Sequence, residues 1–411
     1  MLSRRTGSNA TVALVVPLYA LTGASRFTEK RRKAMDNKKD IVLLKGNEVI
    51  AKAAVRYGYD GFFGYPITPQ SEVLETLAAD KPWETTGMVV LQAESELASI
   101  NMLYGAGCTG KLVFTSSSSP GIALMQEGLS YMAGNELPGV IISVGRGGPG
   151  LGTIQPGQAD YYQAVYGGGN GDYNTIVLAP NSVQEMCDCM GKAAELTFKW
   201  RMPVIVLSDG VLGQMMEKVE LPPYRPRRTD EEIAKQCPWA TNGIGLKNRK
   251  YNFMSTLEFD PAMMEERNQK MAAKYRQVEA EEVDYELYKV DDDTEYLIVA
   301  YGISSRISMK AIDLLREAGV KIGMLRPKTL WPFPNKIISQ LSERIKSILC
   351  VEQCEGQMIN DVRLATEGQA TVFHSGRSGG MVSSPMEIVE DFKRMAREKM
   401  SNNWPKGYWM K

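Results

Sequence analysis

Four short stretches of this chain gather the residue types that do chemistry. The first is GYPITPQSE, Gly64 to Glu72, where two prolines flank Thr68 just as an apolar strand should hand over to a helix. At the carboxyl end of a strand in an open α/β sheet, a loop stiffened by Pro66 and Pro69 would aim the Thr68 hydroxyl and a helix N-terminus at a carboxylate or phosphate. The same residues suit a plain helix start, with Thr68 as N-cap and Pro69 at the first helical position. The second stretch, ESELASINMLYGAG, opens a helix with Glu94 and Glu96. Two residues apart, they point about 200° apart on a helix, so at most one addresses a given ligand. Acidic residues at a helix N-terminus also suit the dipole without any ligand. Ala98, Ser99, Ile100, Met102 and Leu103 make the rest of this helix small and apolar, so it is expected to be buried. A carboxyl on it would be desolvated toward its neutral form.

The third stretch is TSSSSPG. Ser116 to Ser119 end a strand and Pro120 starts a helix, so the tract is either a flexible loop or a set of hydroxyls and N–H groups offered to a ligand. The fourth, GRGGPGLGTIQPGQAD, satisfies G-x-G-x-x-G with Gly145, Gly147 and Gly150. A dinucleotide loop must open a helix, and Pro149, Gly152, Pro156 and Gly157 forbid one for the next dozen residues. What remains is a glycine-rich loop exposing one cation, Arg146, suited to bidentate capture of a carboxylate, or else a surface arginine on a floppy loop.

Composition narrows the chemistry. The 411 residues carry 48 basic and 48 acidic side chains, a balance that points to neither nucleic acid nor a membrane surface. His374 is the one histidine, which removes His-rich metal sites and makes a Ser-His-Asp triad untenable. The six cysteines (Cys108, Cys187, Cys189, Cys237, Cys350, Cys354) form no C-x-x-C pair and no ferredoxin-type run. No iron–sulfur cluster or structural zinc is expected on this chain, and reduced, cytoplasmic thiols are. Cys350 and Cys354 read as packing residues and His374 as a satisfied surface or interface residue.

The elements that must position these stretches follow from periodicity. Strands are expected at Gly61–Gly64, Met88–Gln92, Lys111–Ser116, Gly139–Val144, Asn174–Ala179 and Met202–Leu207, all continuous apolar runs. Helices are expected between them at Asn47–Tyr57, Pro69–Ala79, Glu94–Gly105, Gly121–Gly134 and Ser182–Trp200. That alternation predicts an α/β fold with a parallel sheet buried on both faces. Residues 221–290 read as an irregular, Pro- and charge-rich linker ending in a charged helix, Pro261–Tyr285, which is either solvated or a clamp on a neighbouring subunit. A smaller α/β domain follows over residues 291–395, with strands in EYLIVAYG, VKIGMLRP, IKSILCVE and QATVFH and a helix at Ser305–Ala318, Ser304 and Ser305 serving as a serine cap. Residues 396–411 form a tail. Residues 1–39, with Arg4 and Arg5 before TVALVVPLYALTGAS, read as an extension or a misassigned start ahead of Met35. No run of eighteen apolar residues predicts a membrane span.

Taken together, GYPITPQSE, ESELASINMLYGA, TSSSSPGIALMQEGLSYMAG, ELPGVIISVGRGGPGLGTIQPGQAD and MPVIVLSDG resemble the α-type subunit of 2-oxoacid:ferredoxin oxidoreductases over about residues 40–395. They are most similar to the subunit of branched-chain (3-methyl-2-oxobutanoate) enzymes, with the 2-oxoglutarate enzymes as the alternative. The resemblance implies a thiamine-diphosphate pyrimidine-binding domain over residues 40–220 and a transketolase C-terminal-like domain over 291–395. It implies oxidative decarboxylation of a 2-oxoacid with CoA to acyl-CoA, CO2 and reduced ferredoxin. By the same carry-over Glu96 is the catalytic glutamate, and Thr68 and Arg146 bind the substrate carboxylate. Tyr65, Pro66, Ile67, Ser118 and Ser119 face the cofactor beside Glu96. The diphosphate and Mg²⁺ motif is absent, with Ser208-Asp209-Gly210 a partial echo. The resemblance therefore implies a thiamine-pyrophosphate-binding β subunit, a γ subunit, a ferredoxin-like δ subunit with the iron–sulfur clusters, and ferredoxin as partners. A nicotinamide dehydrogenase lacks support in the sequence, and a non-catalytic assembly subunit of the same fold is the other rival.

Overall fold

Two α/β layers are built on two sheets, and the computed structural model describes residues 40–243 and 251–400 of the chain. The expected extension 1–39 and residues 401–411 of the tail lie outside the described residues. The larger sheet has seven strands in the order β12-β6-β7-β5-β4-β2-β3. They are β2 (Gly61–Gly64), β3 (Val89–Gln92), β4 (Val113–Ser117), β5 (Gly139–Gly145), β6 (Ile176–Leu178), β7 (Pro203–Asp209) and β12 (Thr329–Trp331). All neighbours are parallel except β12 against β6. Every residue of β4, β5 and β7 is buried, as continuous apolar runs between two helical layers require.

Chain order decides which face each helix covers. From β2 the chain steps one way to β3, then returns across β2 to β4 and on to β5. Right-handed crossovers put the helices Glu96–Cys108 and Ser119–Gly134 on one face and Glu72–Asp80 and Val183–Trp200 on the other. Gly46–Arg56 packs with the latter pair. The reversal leaves a crevice between the carboxyl ends of β2 and β4, the switch point where open α/β sheets bind ligands.

The second sheet, β14-β13-β10-β11-β9, comprises β9 (Tyr285–Tyr288), β10 (Tyr296–Ala300), β11 (Ile322–Pro327), β13 (Ser347–Glu352) and β14 (Thr371–Gly376). Its four expected strands are parallel, with β9 added antiparallel at one edge. Immediately after β11 the chain crosses over, and β12 extends the first sheet. Arg326 on β11 is buried against this seam. Its guanidinium makes two 2.7 Å bonds to Glu185 and lies 3.0 Å from Glu286. The helix Pro261–Glu281 is no free clamp, since it buries Met271, Tyr275 and Val278 on the body. Among the described residues no helix is long and apolar enough to cross a membrane.

Several local expectations are corrected. The helix after β2 starts at Glu72, with Ser71 as N-cap, so Thr68 does not cap it and Pro69 is not its first residue. Instead Gln70 N bonds Ile67 O at 2.9 Å in a turn, and the Thr68–Pro69 peptide is cis. The serine cap is also absent: Tyr301 is the N-cap of Gly302–Glu317, Ser304 bonds Gln158 and Ser305 bonds the Gly302 carbonyl. Among the described residues His374 is not satisfied, because its Nε2 is buried without a hydrogen-bond partner there, 3.8 Å from Glu352. The Cys350 and Cys354 thiols are buried and donate to the same Glu352 carboxylate. Besides β9 and β12, two further strands were not expected, β1 (Asp40–Lys45) and β8 (Met216–Leu221), which pair antiparallel outside the main sheets. Their core-facing residues are few, and Ile41 and Leu43 point outward, so no apolar run marks them.

Asp209, the acid of the partial G-D-G echo, is spent on structure. Its Oδ1 accepts from Val211 N and Leu212 N, and the Ile303 N–H of the second domain donates to the same carboxyl. Burial pushes this carboxyl from an ordinary 3.8 up to about 6, against those N–H bonds. Between these values the folded chain keeps a proton that the unfolded chain has released. The stabilising contribution is thus fully present below about pH 4 and lost as pH rises through about 6. The difference in unfolding free energy between the protein and Asp209→Asn should fall by on the order of 2 kcal/mol from pH 4 to 6.5. Urea unfolding across that range measures it, and a flat difference would show that the carboxyl does not titrate there.

Candidate functional site

The loop Gly64–Ser71 leaves β2 at the crevice, and its backbone is tied down while the side chains of Tyr65, Pro66 and Thr68 face outward. Gly64 O accepts from Ala93 N at 2.8 Å, and Tyr65 O accepts from Gln70 Nε2 at 3.1 Å. Thr68 O accepts from Arg146 Nη1 at 2.8 Å. Pro69 O accepts from Asn47 Nδ2 at 2.6 Å and Gln214 Nε2 at 3.3 Å. Carbonyls held by fixed side chains leave Tyr65, Pro66 and Thr68 exposed and Ile67 half-buried.

Glu94 and Glu96 separate as their spacing requires: Glu94 is exposed and Glu96 is buried, 6% accessible. Ser95 caps the helix through its Oγ, accepting from Ala98 N at 3.1 Å, which sets Glu96 as the first helical residue. The Glu96 carboxyl lies against Gly121 of the neighbouring helix. A Cβ on Gly121 would stand 2.6 Å from Glu96 Oε1 and 2.0 Å from Ser117 Oγ, so only glycine lets the two helices bring these groups together. The Glu96 carboxyl makes no hydrogen bond to any described residue.

The serine tract divides into roles that its composition does not reveal. Ser116 to Ser118 are fully buried rather than a flexible loop. Ser116 Oγ donates to Gln70 Oε1 at 2.7 Å, bracing the Tyr65 loop. Ser117 and Ser118 Oγ have no hydrogen-bond partner among the described residues. Ser119 Oγ donates to Asp160 Oδ2 at 2.6 Å and accepts from Arg146 N at 3.0 Å.

Arg146 follows β5 and is buried, 7% accessible, which corrects the expectation of an exposed cation on a floppy loop. No helix follows until Tyr161–Val165; the loop instead turns back so that Arg146 pairs with Pro156 across an antiparallel bridge. Nη1 is its one guanidinium atom bonded among the described residues, and Nε is buried without a partner. Such a guanidinium is a ready anion site. Nearby Asp160 is buried, and desolvation pushes its carboxyl up to about 6 against the Ser119 bond and the Arg146 charge. Thr68, Arg146 and Ser119 are therefore joined directly, and Glu96 reaches the crevice from the neighbouring helix. Gln70, Asn47 and Asp160 were missed. Gln70 and Asp160 lie inside the singled-out stretches, and a polar residue just past a buried strand end was the available signal.

Comparison with known proteins shows the family of the chain. Residues 52–286 match the family described as pyruvate flavodoxin/ferredoxin oxidoreductase, thiamine diP-binding, and residues 294–388 match pyruvate:ferredoxin oxidoreductase core domain II. The ketoisovalerate oxidoreductase subunit VorB of Methanothermobacter marburgensis is 45% identical over 359 residues, 87% of this chain and 98% of that one. The 2-oxoglutarate synthase subunit KorA of Archaeoglobus fulgidus is 36% identical over 79% of this chain and 91% of its own length. The structure of 2-oxoglutarate:ferredoxin oxidoreductase from Magnetococcus marinus, with 2-oxoglutarate, coenzyme A and succinyl-CoA bound, is 28% identical with a TM-score of 0.76, covering 87% of this chain and 65% of that one. The chain belongs to the pyruvate flavodoxin/ferredoxin oxidoreductase family, with its thiamine-diphosphate-binding domain ahead of its core domain II.

Proposed function

We propose that this chain is the pyrimidine-binding half of a thiamine-dependent oxidoreductase that oxidatively decarboxylates a branched-chain 2-oxoacid, such as 3-methyl-2-oxobutanoate, with CoA. The observation that carries the reading is Glu96, a buried residue at the switch-point crevice whose carboxyl makes no hydrogen bond to any described residue. Thiamine diphosphate, when bound, supplies the carbon nucleophile and the electron sink for decarboxylation. Glu96 would hold its pyrimidine end, keeping a proton on a carboxyl oxygen and offering it to the ring nitrogen. Tyr65, Pro66 and Ile67 form the adjoining wall, and the unpartnered Ser118 hydroxyl is available to a ring heteroatom. Ser119 is committed to Asp160 and the Arg146 backbone, so its part is to hold the arginine.

Arg146 anchors the substrate carboxylate through the donors that Thr68 O leaves free, and the exposed Thr68 hydroxyl adds a second bond. Arg146 is also the one Lys or Arg in Gly64–Ser71, Ala93–Ser99, Ser116–Gly121 and Gly145–Asp160. This chain's walls thus provide for one carboxylate and no second, which favours a branched-chain acid over 2-oxoglutarate.

Nothing in the Ser208-Asp209-Gly210 echo is free for a metal, since Asp209 serves backbone N–H groups. Diphosphate, Mg²⁺ and iron–sulfur clusters belong on partner subunits, with ferredoxin taking the electrons. Two packed helices that start at the site support a partner there. They expose Leu97, Met102, Leu124 and Tyr131, with Glu127 the one charge on those faces. The six unpaired cysteines support a reducing, cytoplasmic setting.

CoA-dependent viologen reduction by the co-purified complex tests the reading. Glu96→Gln should lower kcat by roughly a hundredfold or more, and an unchanged rate would refute the assigned role. Arg146→Lys should raise KM for the 2-oxoacid about tenfold, because an ammonium cannot reproduce the fork geometry. In the unmodified complex kcat/KM for 3-methyl-2-oxobutanoate should exceed that for 2-oxoglutarate by at least about tenfold, and the reverse order would overturn the substrate assignment.

A further inference from the structure

Gln158 lies on the return leg of the Arg146 loop, twelve positions after the arginine, and is 4% accessible. All of its polar groups are engaged. Oε1 accepts from Ser304 Oγ at 2.6 Å and from Gln353 N at 2.9 Å, while Nε2 donates to Tyr301 O at 3.1 Å. Its backbone N donates to Gln353 O at 3.0 Å, and its carbonyl accepts from the Tyr301 hydroxyl at 3.2 Å. Each of these partners belongs to the second α/β domain. Gln353 carries the network onward, donating to Ser304 Oγ at 3.3 Å and accepting from Ser383 N at 3.2 Å.

The loop transmits that position to the arginine. Gly147 N bonds Gln155 O at 2.9 Å and Thr153 N bonds Gly147 O at 2.7 Å, so the outgoing and returning legs are one hairpin. Two residues past Gln158, Asp160 accepts from Ser119, which in turn accepts from Arg146 N. The return leg is thus held to the second domain at Gln158 and to the first at Asp160. The hairpin also lies flat on the loop 376–383, where a Cβ at Gly147 would stand 2.7 Å from Gly380 N. Apart from Gln158, the loop's bonds to this domain are peripheral. Thr153 Oγ reaches Gly379 O at 3.4 Å, and Gln357 Nε2 reaches Ala159 O at 2.8 Å, both on the exposed side.

We infer that Gln158 is a positioning residue for Arg146, through which the second domain sets the geometry of the substrate-carboxylate site. The inference rests on the reading of Arg146 as the carboxylate anchor. A carboxamide suits the task because it accepts and donates at once; leucine of similar size leaves the Ser304 O–H and the Gln353 N–H without their acceptor and takes from the Tyr301 carbonyl one of its two donors, Ser305 N being the other. Catalytic geometry is sensitive to displacements of an ångström, so a loosened hairpin shows first in substrate binding.

The test uses the co-purified complex carrying Gln158→Leu or Ser304→Ala. With Gln158→Leu, KM for the 2-oxoacid should rise about tenfold while KM for CoA stays within about twofold. Amide hydrogen exchange over residues 147–157 should accelerate alongside. Ser304→Ala, which removes one hydroxyl on the other domain, should shift the same KM in the same direction by a few-fold, about two to five. It carries the test alone should the leucine variant fail to assemble. An unchanged KM for the 2-oxoacid, or equal rises in both KM values together with a lowered melting temperature, would reduce Gln158 to a structural residue and overturn the inference. Arg146→Lys separates the two readings: if it raises KM while Gln158→Leu does not, positioning fails and the anchor stands. If Arg146→Lys has no effect on KM, the anchor itself has failed and the inference falls with it.

Discussion

The 2.8 Å bond from the Arg146 guanidinium to the Thr68 carbonyl spans the mouth of the crevice, joining loops that leave β5 and β2 on either side of β4. It spends one donor of a buried cation on backbone and leaves the others without a hydrogen bond to any described residue. A guanidinium in that condition is stable only where an anion or water completes it. The Asp160–Ser119 pair fixes the arginine's own backbone. Gln70, braced by Ser116, fixes the loop that the arginine reaches.

A second constraint is the bare backbone at Gly121. A methyl group there would overlap both Glu96 and Ser117, so one hydrogen in place of a side chain admits a carboxyl into the apolar space between two helices. No neighbouring described side chain offers that carboxyl a hydrogen bond. Among the described residues the acid makes no hydrogen bond and the cation's guanidinium makes one.

The second domain enters this arrangement less as a separate body than as a brace. It places β12 in the first domain's sheet, pairs Arg326 with Glu185 across the seam, and closes on the arginine loop through Gln158 and on the end of β7 through Asp209. The junction Tyr301-Gly302-Ile303 reads in the sequence as an ordinary strand-to-helix turn. Its function as the meeting point for Gln158 and Asp209 depends on residues 143 and 94 positions earlier in the chain.

The sequence by itself determined the parallel sheet, because continuous apolar runs between amphipathic segments have one stable arrangement, and β2, β5 and β13 appear where those runs lie. It also determined the residue types at the crevice, since Thr68, Glu96 and Arg146 all follow strand ends and the family pattern carries through them in order. The tertiary structure alone decided what each of them does. Thr68 lost its cap role because Arg146 and Gln70 capture the loop's carbonyls from elsewhere in the chain. The four serines, alike in sequence, became a brace, two unpartnered hydroxyls and an arginine holder according to which distant group each meets. Local periodicity reports burial within a few residues, whereas a hydrogen bond between positions 68 and 146 exists only once the strand order has brought them to the same edge.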